Sequence, residues 1–294
     1  MKRLPSYLLA LLLVRGCANT STTLHSFERA DYLKEEDAIC VYIKYNQQVG
    51  GYDVSAICVV DTIYNGVFYS WHNPTAINGH GFIHFKNDEH EFVVENPLFS
   101  DDNLSQNKQP LKNGMLIETD YIPFKPTNDT LNNMLFDGSQ SPFFFFDIDF
   151  DGEKELIVTL WEGMYYHGHN AYAAYKMPNG NDRHVISPMQ GEPFDELNGY
   201  TRIDTVKKEI TQPYDYGMRF GGMKKYGLVT HTVFNEVTNS LEEWQSLELM
   251  EIEHYDWQHT EAIKYNACEP TIYHYKKING DMKLTSIEKC PNDK

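Results

Sequence analysis

One short segment of the chain carries carboxylates at a spacing that suits calcium chemistry. It reads Asp147-Ile-Asp149-Phe-Asp151-Gly-Glu153-Lys-Glu155, with an acidic side chain at every second position and a glycine after the third. Ca²⁺ takes six to eight hard oxygen ligands at about 2.3–2.6 Å, and a glycine lets the backbone turn sharply around the ion. The segment therefore predicts a calcium-binding loop.

The predicted ligands divide into side-chain and backbone oxygens. Asp147, Asp149 and Asp151 would direct their carboxylates inward. Glu153 would offer its backbone carbonyl, and Glu155 would close the site directly or through a water molecule. The alternative interpretation is an acidic surface turn that holds no ion.

The residues on either side of the loop indicate strands. A twelve-residue helical calcium hand would need glutamate at its twelfth position, where this chain has Val158. Residues 143–146 are four phenylalanines and residues 156–161 read Leu-Ile-Val-Thr-Leu-Trp. Aromatic and β-branched residues of this kind are enriched in strands. The sequence thus predicts a strand–loop–strand calcium site.

The loop also carries a resemblance to known families. Residues 145–158 resemble the repeats of FG-GAP and VCBS-like proteins, and more closely a group of exported bacterial proteins, the XAC2610-related family, in which a DxDxDGxxEL loop leads into a strand. The hairpins at 200–210 and 273–284 are similar to later hairpins of that group, so the resemblance covers roughly residues 140–290. It implies a propeller-like or irregular β architecture, calcium bound for stability, and binding to other proteins, with lysozyme inhibition and envelope assembly among the implied roles.

Composition and turn residues favour strands throughout the chain. Tyrosine (20) and phenylalanine (16) are abundant, and no sustained helical apolar periodicity occurs. We therefore predict an all-β fold built mainly of antiparallel hairpins, in a β-rich domain that spans residues 35–294. The polar stretch at 100–113 is either a long loop or a domain boundary, and Ser240–Gln245 is predicted to form a short turn or a single helical turn.

The N-terminus is typical of an exported protein. A basic head and a short apolar run before Gly16-Cys17 predict a signal peptide at residues 1–16. Gly16-Cys17 resembles the lipobox of bacterial lipoproteins, which implies lipidation at Cys17, a tether at residues 17–34 and attachment to the bacterial envelope at the periplasmic face or the cell surface. Arg15 departs from that pattern, so a plain secretory signal remains the alternative.

Four further cysteines suggest disulfides in an exported chain. Cys40 and Cys58 lie symmetrically around Val49, and Cys268 and Cys290 lie symmetrically around Asn279. Because Asn279-Gly280 is a strong hairpin turn, each pair is expected to join facing arms of one hairpin. Four free thiols are the alternative.

Charge limits the classes of partner. The formal net charge is −17, and residues 1–16 contribute three basic residues and no acidic one. Such a chain repels phosphate backbones, so nucleic-acid binding is disfavoured, whereas metal ions and basic proteins are favoured partners.

No sequence motif of a hydrolase nucleophile, a zinc protease or a phosphate-binding loop occurs. The preferred interpretation is a non-enzymatic, calcium-stabilised envelope lipoprotein that binds another macromolecule, with a basic protein such as lysozyme as the candidate partner. The alternative is a secreted hydrolase of glycans, in which Glu192, Asp195 or Glu196 would pair with Asp147 as catalytic carboxylates.

Overall fold

The described part of the chain folds mainly into β-strands. The structure, a computed structural model, describes residues 38–61, 78–100, 112–125, 127–130, 133–135, 141–160, 171–178, 185–214, 221–235, 237–256 and 271–289. Within these ranges there is no α-helix and one 3₁₀ turn, at Phe194–Glu196. Most strand pairs are antiparallel, and the two parallel pairs are β1 with β5 and β4 with β11. The predicted all-β, mainly antiparallel class is confirmed.

The described strands form three sheets. A six-stranded sheet, in the order β11-β4-β3-β2-β1-β5, contains β1 (Ala38–Tyr45), β2 (Asp53–Asp61), β3 (Asn78–Lys86), β4 (Glu91–Ser100), β5 (Met115–Thr119) and β11 (Val185–Ile186). A three-stranded sheet contains β8 (Phe143–Phe146), β9 (Glu155–Leu160) and β10 (Ala171–Tyr175).

The third sheet has eight strands, in the order β17-β16-β15-β14-β13-β12-β7-β6. Its members are β6 (Thr127–Thr130), β7 (Asn133–Leu135), β12 (Arg202–Asp204), β13 (Glu209–Tyr214), β14 (Gly222–Asn235), β15 (Ser240–Asp256), β16 (Thr271–Ile278) and β17 (Asp281–Glu288). Sheets of six, three and eight strands are not repeated four-stranded blades, so the architecture is the irregular one of the two predicted forms.

The three-stranded sheet is the middle layer, because its two faces belong to two different cores. Phe143, Leu156 and Val158 pack with the buried face of the six-stranded sheet. Phe144 and Ile157, on the opposite face, pack with apolar residues of the eight-stranded sheet. A strand that is buried on both faces needs a continuous apolar run, and this explains why 143–146 and 156–158 show no polar alternation.

The hairpin between β1 and β2 disproves the disulfide that was predicted between Cys40 and Cys58. The strands pair with Cys40 opposite Val59 and Val41 opposite Cys58, one residue away from the predicted register. Since successive side chains point to opposite faces, the two cysteines lie on opposite faces of the sheet, and both are free thiols. Cys58 is buried in the core, where burial raises the pKa of its thiol well above the ordinary value.

A second correction concerns residues 240–245. Instead of a turn or a helical turn, Ser240–Gln245 is the first part of β15, and it pairs with the end of β14. The predicted type of turn at Asn279-Gly280 is confirmed: both residues have positive φ, of 53° and 88°, between the paired strands β16 and β17.

Several predictions fall outside the described residues. These are the signal peptide at 1–16, the tether at 17–34 with the lipidation site Cys17, most of the polar stretch at 100–113, and the cysteine pair Cys268 and Cys290. In the part of the chain that the structure describes, no helix has the length and apolar character needed to cross a membrane.

Candidate metal site

The acidic loop connects β8 to β9 at one end of the middle sheet. Along it, side chains alternate between the core and the surface. Ile148 is fully buried and Phe150 nearly so, both within the core shared with the eight-stranded sheet. The aspartates before, between and after them therefore lie on the other side of the loop. Phe150 has a φ of 63° and Gly152 a φ of 97°, so the backbone reverses direction there.

Three of the five predicted ligands come together. One carboxylate oxygen from each of Asp147, Asp149 and Asp151 lies within 4.8 Å of the other two. The backbone amide of Asp151 donates to Asp149 Oδ1 (3.2 Å), and the amide of Gly152 donates to Asp147 Oδ2 (3.2 Å). Asp147 Oδ1 is buried and has no hydrogen-bond partner among the described residues. An oxygen in this state favours a ligand that supplies positive charge.

Glu155, the fourth predicted carboxylate ligand, lies directly beneath the loop. It is the first residue of β9, is 2% exposed, and accepts a hydrogen bond from the backbone amide of Ile148 (3.0 Å). Burial raises the pKa of Glu155 to about 7, and the negative charges of Asp149 and Asp151 add to that effect. A carboxyl group that is costly to ionise becomes easier to ionise when a divalent cation lies beside it.

Glu153 occupies the exposed outer part of the loop. Its backbone amide donates to Asp151 Oδ1 (2.8 Å). Its side chain is exposed and is not one of the three grouped carboxylates. The predicted role of Glu153, which is to offer its backbone carbonyl to the ion, stays a prediction.

A lysine that the sequence did not indicate lies between two of the aspartates. Lys176 Nζ is 2.8 Å from Asp149 Oδ2 and 2.7 Å from Asp151 Oδ2. Partial burial alone would lower the pKa of Lys176, but its hydrogen bonds to the two aspartates outweigh burial and raise it. The hydrogen bond from Lys176 also lowers the pKa of Asp151. The ammonium group supplies part of the positive charge that the loop attracts, and a metal ion would compete with it.

Strand pairing explains why Lys176 reaches the loop. The ladder between β9 and β10 ends with Tyr175 opposite Leu156, so Lys176 follows beside Glu155. Lys176 could have been identified as a neighbour of the acidic loop only from the register of β9 and β10. Lys208, in the turn between β12 and β13, approaches the other side of the loop, where its Nζ lies 3.5 Å from the carbonyl oxygen of Phe150.

A cleft of about 300 Å³ opens beside the loop, between it and the strands β14 and β15. Its lining residues are Asp149, Phe150, Asp151, Lys176, Phe194, Leu228, Gln245, Ser246 and Leu247. The cleft makes the outer side of the aspartate cluster accessible to solvent, and an ion could enter there.

The carboxylates of the alternative hydrolase interpretation are held by other groups. Glu192 Oε1 accepts from Lys224 Nζ (2.5 Å), and its Oε2 accepts from the hydroxyl of Tyr226 (2.8 Å). The hydrogen bond from Lys224 lowers the pKa of Glu192. Asp195 Oδ1 accepts from the backbone amide of Gly191 (2.9 Å), and Glu196 Oε2 lies 3.4 Å from the same lysine nitrogen. These contacts stabilise the turn at Phe194–Glu196, and none of the three residues lines the cleft beside Asp149.

Comparison of the chain with protein-family models, with curated proteins and with solved structures gave no match.

Proposed function

We propose that the chain is an exported, calcium-stabilised β protein of the bacterial envelope, anchored through Cys17, that binds another macromolecule. The observation that carries the calcium part is the convergence of Asp147, Asp149 and Asp151, with a buried oxygen of Asp147 that has no hydrogen-bond partner among the described residues. Glu155 lies outside that group, but burial and the negative charges of Asp149 and Asp151 raise its pKa, and a cation in the loop would relieve this repulsion.

Calcium suits this loop better than a softer metal does. The grouped side chains offer only carboxylate oxygens, which are the ligands of hard cations such as Ca²⁺ and Mg²⁺. Mg²⁺ demands near-octahedral geometry at 2.0–2.1 Å and dehydrates reluctantly, whereas Ca²⁺ accepts the irregular ligand set of a turning loop. The proposed role of the ion is structural, because the loop joins two strands of the layer that contributes to both cores.

The binding role rests on the charge of the chain and on the family resemblance. A formal net charge of −17 favours a basic partner, and lysozyme is the candidate that the resemblance suggests. A glycan hydrolase is the weaker candidate, because Glu192, Asp195 and Glu196 are engaged in contacts with other groups.

Thermal unfolding tests the calcium part. The purified chain is melted in EDTA, in excess Ca²⁺ and in excess Mg²⁺, beside Asp149→Asn and the control Asp281→Asn, which changes an exposed aspartate on β17. At a hundred times its dissociation constant, an ion bound only by the native state adds about 2.7 kcal/mol of stability. That amounts to roughly 5 °C or more in melting temperature for a chain of this size.

We expect the Ca²⁺-dependent rise in the parent and in Asp281→Asn, and little or none in Asp149→Asn. An equal melting temperature in EDTA and Ca²⁺ for the parent would make the loop an acidic turn without an ion and would refute the calcium part of the proposal.

A further inference from the structure

Strands β14 and β15 extend well beyond the sheet to which they belong. β13 pairs with β14 only over Gly222–Gly227, and β16 pairs with β15 only over Glu251–Asp256. Residues 229–235 and 240–246, which we call the arm, pair with each other and with no third strand in the described part of the chain. At about 3.4 Å per residue the arm is roughly 24 Å long.

The arm exposes large apolar side chains near its tip. Leu241 is 69% exposed, Trp244 is 52% exposed, and Val237 in the connecting turn is 95% exposed. Val233 and Phe234 are each 54% exposed. Half of the exposed large apolar side chains in the described residues lie on this one hairpin. A concentration of exposed apolar side chains on one hairpin is typical of an interaction site, because their burial against a partner is favourable.

Both faces of the arm contribute to this surface. Phe234 pairs directly with Leu241 on one face, and His231 stacks on Trp244 on the other, with ring centroids 4.0 Å apart. A two-stranded hairpin without further packing is only marginally stable in water. Here the base of the arm is held by Glu248, whose carboxylate lies 2.8 Å from His231 Nε2 and forms an ion pair with Lys277. The arm is thus fixed at one end and presents an apolar tip at the other.

The charge of the arm indicates which class of partner binds to it. Residues 229–246 contain three glutamates and no lysine or arginine, and Glu242 and Glu243 are exposed beside the apolar tip. A second copy of the chain would bring like charges together, and an anionic membrane or a nucleic acid would be repelled. A cationic protein surface would pair with the glutamates, and its arginines could also stack on Trp244.

We propose that the arm is the docking surface for a cationic protein, with the apolar tip inserted into a hollow that arginine or lysine side chains surround. This inference rests on the proposed binding function and names the surface that carries it. Buried apolar anchors supply most of the affinity of such interfaces, and rim charges chiefly set the association rate and the choice of partner.

The test measures binding of the full chain to lysozyme and to succinylated lysozyme, which keeps its covalent framework but carries carboxylates in place of its lysine ammonium groups. The apolar variant is Leu241→Ser with Trp244→Ser, and the charge variant is Glu242→Gln with Glu243→Gln. The control is Leu284→Ser with Ile287→Ser, which changes exposed apolar residues on β17, away from the arm. Circular dichroism and melting curves verify that every variant is folded.

We expect the parent and the control to bind lysozyme alike and succinylated lysozyme at least tenfold more weakly. The apolar variant should raise the dissociation constant for lysozyme at least tenfold, and the charge variant should raise it about threefold or more at low salt. Equal binding by the parent and the apolar variant would overturn the arm as the docking surface while the binding function stands.

Absence of lysozyme binding by the parent would overturn both the arm inference and lysozyme as the partner in the proposed function, and it would leave the calcium result intact. A dimer that the arm substitutions abolish in gel filtration would identify a second copy of the chain as the occupant and would also overturn the inference.

Discussion

Glu155 offers the sharpest test of the electrostatics at the loop. Its carboxyl group is almost fully buried, and burial together with the charges of Asp149 and Asp151 raises its pKa from 4.5 to about 7 in the metal-free protein. The native state therefore binds the proton of Glu155 more tightly than the unfolded state does. The contribution of this proton to the free energy of unfolding is therefore complete below pH 4.5, and it is lost as the pH rises through 7.

The substitution Glu155→Gln isolates this effect. Glutamine keeps an oxygen that can accept from the amide of Ile148, and it removes the ionisation. The pKa difference, at about 1.36 kcal/mol per pKa unit, corresponds to about 3 kcal/mol in full, of which about 2.5 kcal/mol develops between pH 5 and pH 8.5. The new buried amide hydrogens add a cost of about 1–3 kcal/mol, but that cost does not depend on pH.

Urea unfolding in EDTA at pH 5, 7 and 8.5 measures the difference in unfolding free energy between Glu155→Gln and the parent. We expect this difference to shift in favour of the variant by about 2–3 kcal/mol between pH 5 and pH 8.5. Glu118→Gln, at an exposed carboxylate on β5, is the matched control for the substitution itself.

With excess Ca²⁺ at pH 8.5 the advantage of the variant should fall, because the charge that destabilises the metal-free loop stabilises the bound ion. A difference that stays constant across the pH range in EDTA would refute the assignment of Glu155 as a buried carboxyl group of raised pKa.

Three further expectations follow from single contacts. Lys176→Met removes the ammonium group that competes for the aspartates, so a chelator-competition assay should show tighter Ca²⁺ binding, and unchanged or weaker binding would contradict that competition. Gly50→Ala should cost at least about 2 kcal/mol in urea unfolding, because its φ is +59° and the added Cβ would lie 2.4 Å from Phe145 Cε2; a cost within experimental error would contradict this packing. Alkylation in denaturant followed by peptide mapping should find Cys40 and Cys58 as free thiols, and a peptide that links Cys40 to Cys58 would disprove the register of β1 and β2.

The sequence predicted the strands around the loop closely because two-face burial leaves a strong local signal. Phe143–Phe146 is the whole of β8, and the strand predicted at 156–161 coincides with β9 over residues 156–160. The aspartates alternate with Ile148 and Phe150, and a pattern of period two needs no distant information to be interpreted. The grouping of the three carboxylates follows from the same local alternation.

The features that the sequence did not predict depend on the register of paired strands and on residues far apart in the chain. The error at Cys40 and Cys58 is a shift of one residue, and a shift of one residue in a β-ladder moves a side chain to the opposite face. Lys176 reaches the loop only through the pairing of β9 with β10. The first part of β15 was interpreted as a turn because the arm has solvent on both faces, so its residues lack the apolar alternation of a half-buried strand.

The position of the loop explains why an ion there would matter to the whole fold. Metal-free, the loop concentrates the negative charge of three aspartates above a buried glutamate, and Lys176, itself about half exposed, offsets part of that charge. Glu155 begins the strand whose next two residues, Leu156 and Ile157, belong to the two different cores. Because repulsion in the loop would act on both cores through this strand, a bound cation would stabilise both packed layers and not the hairpin alone.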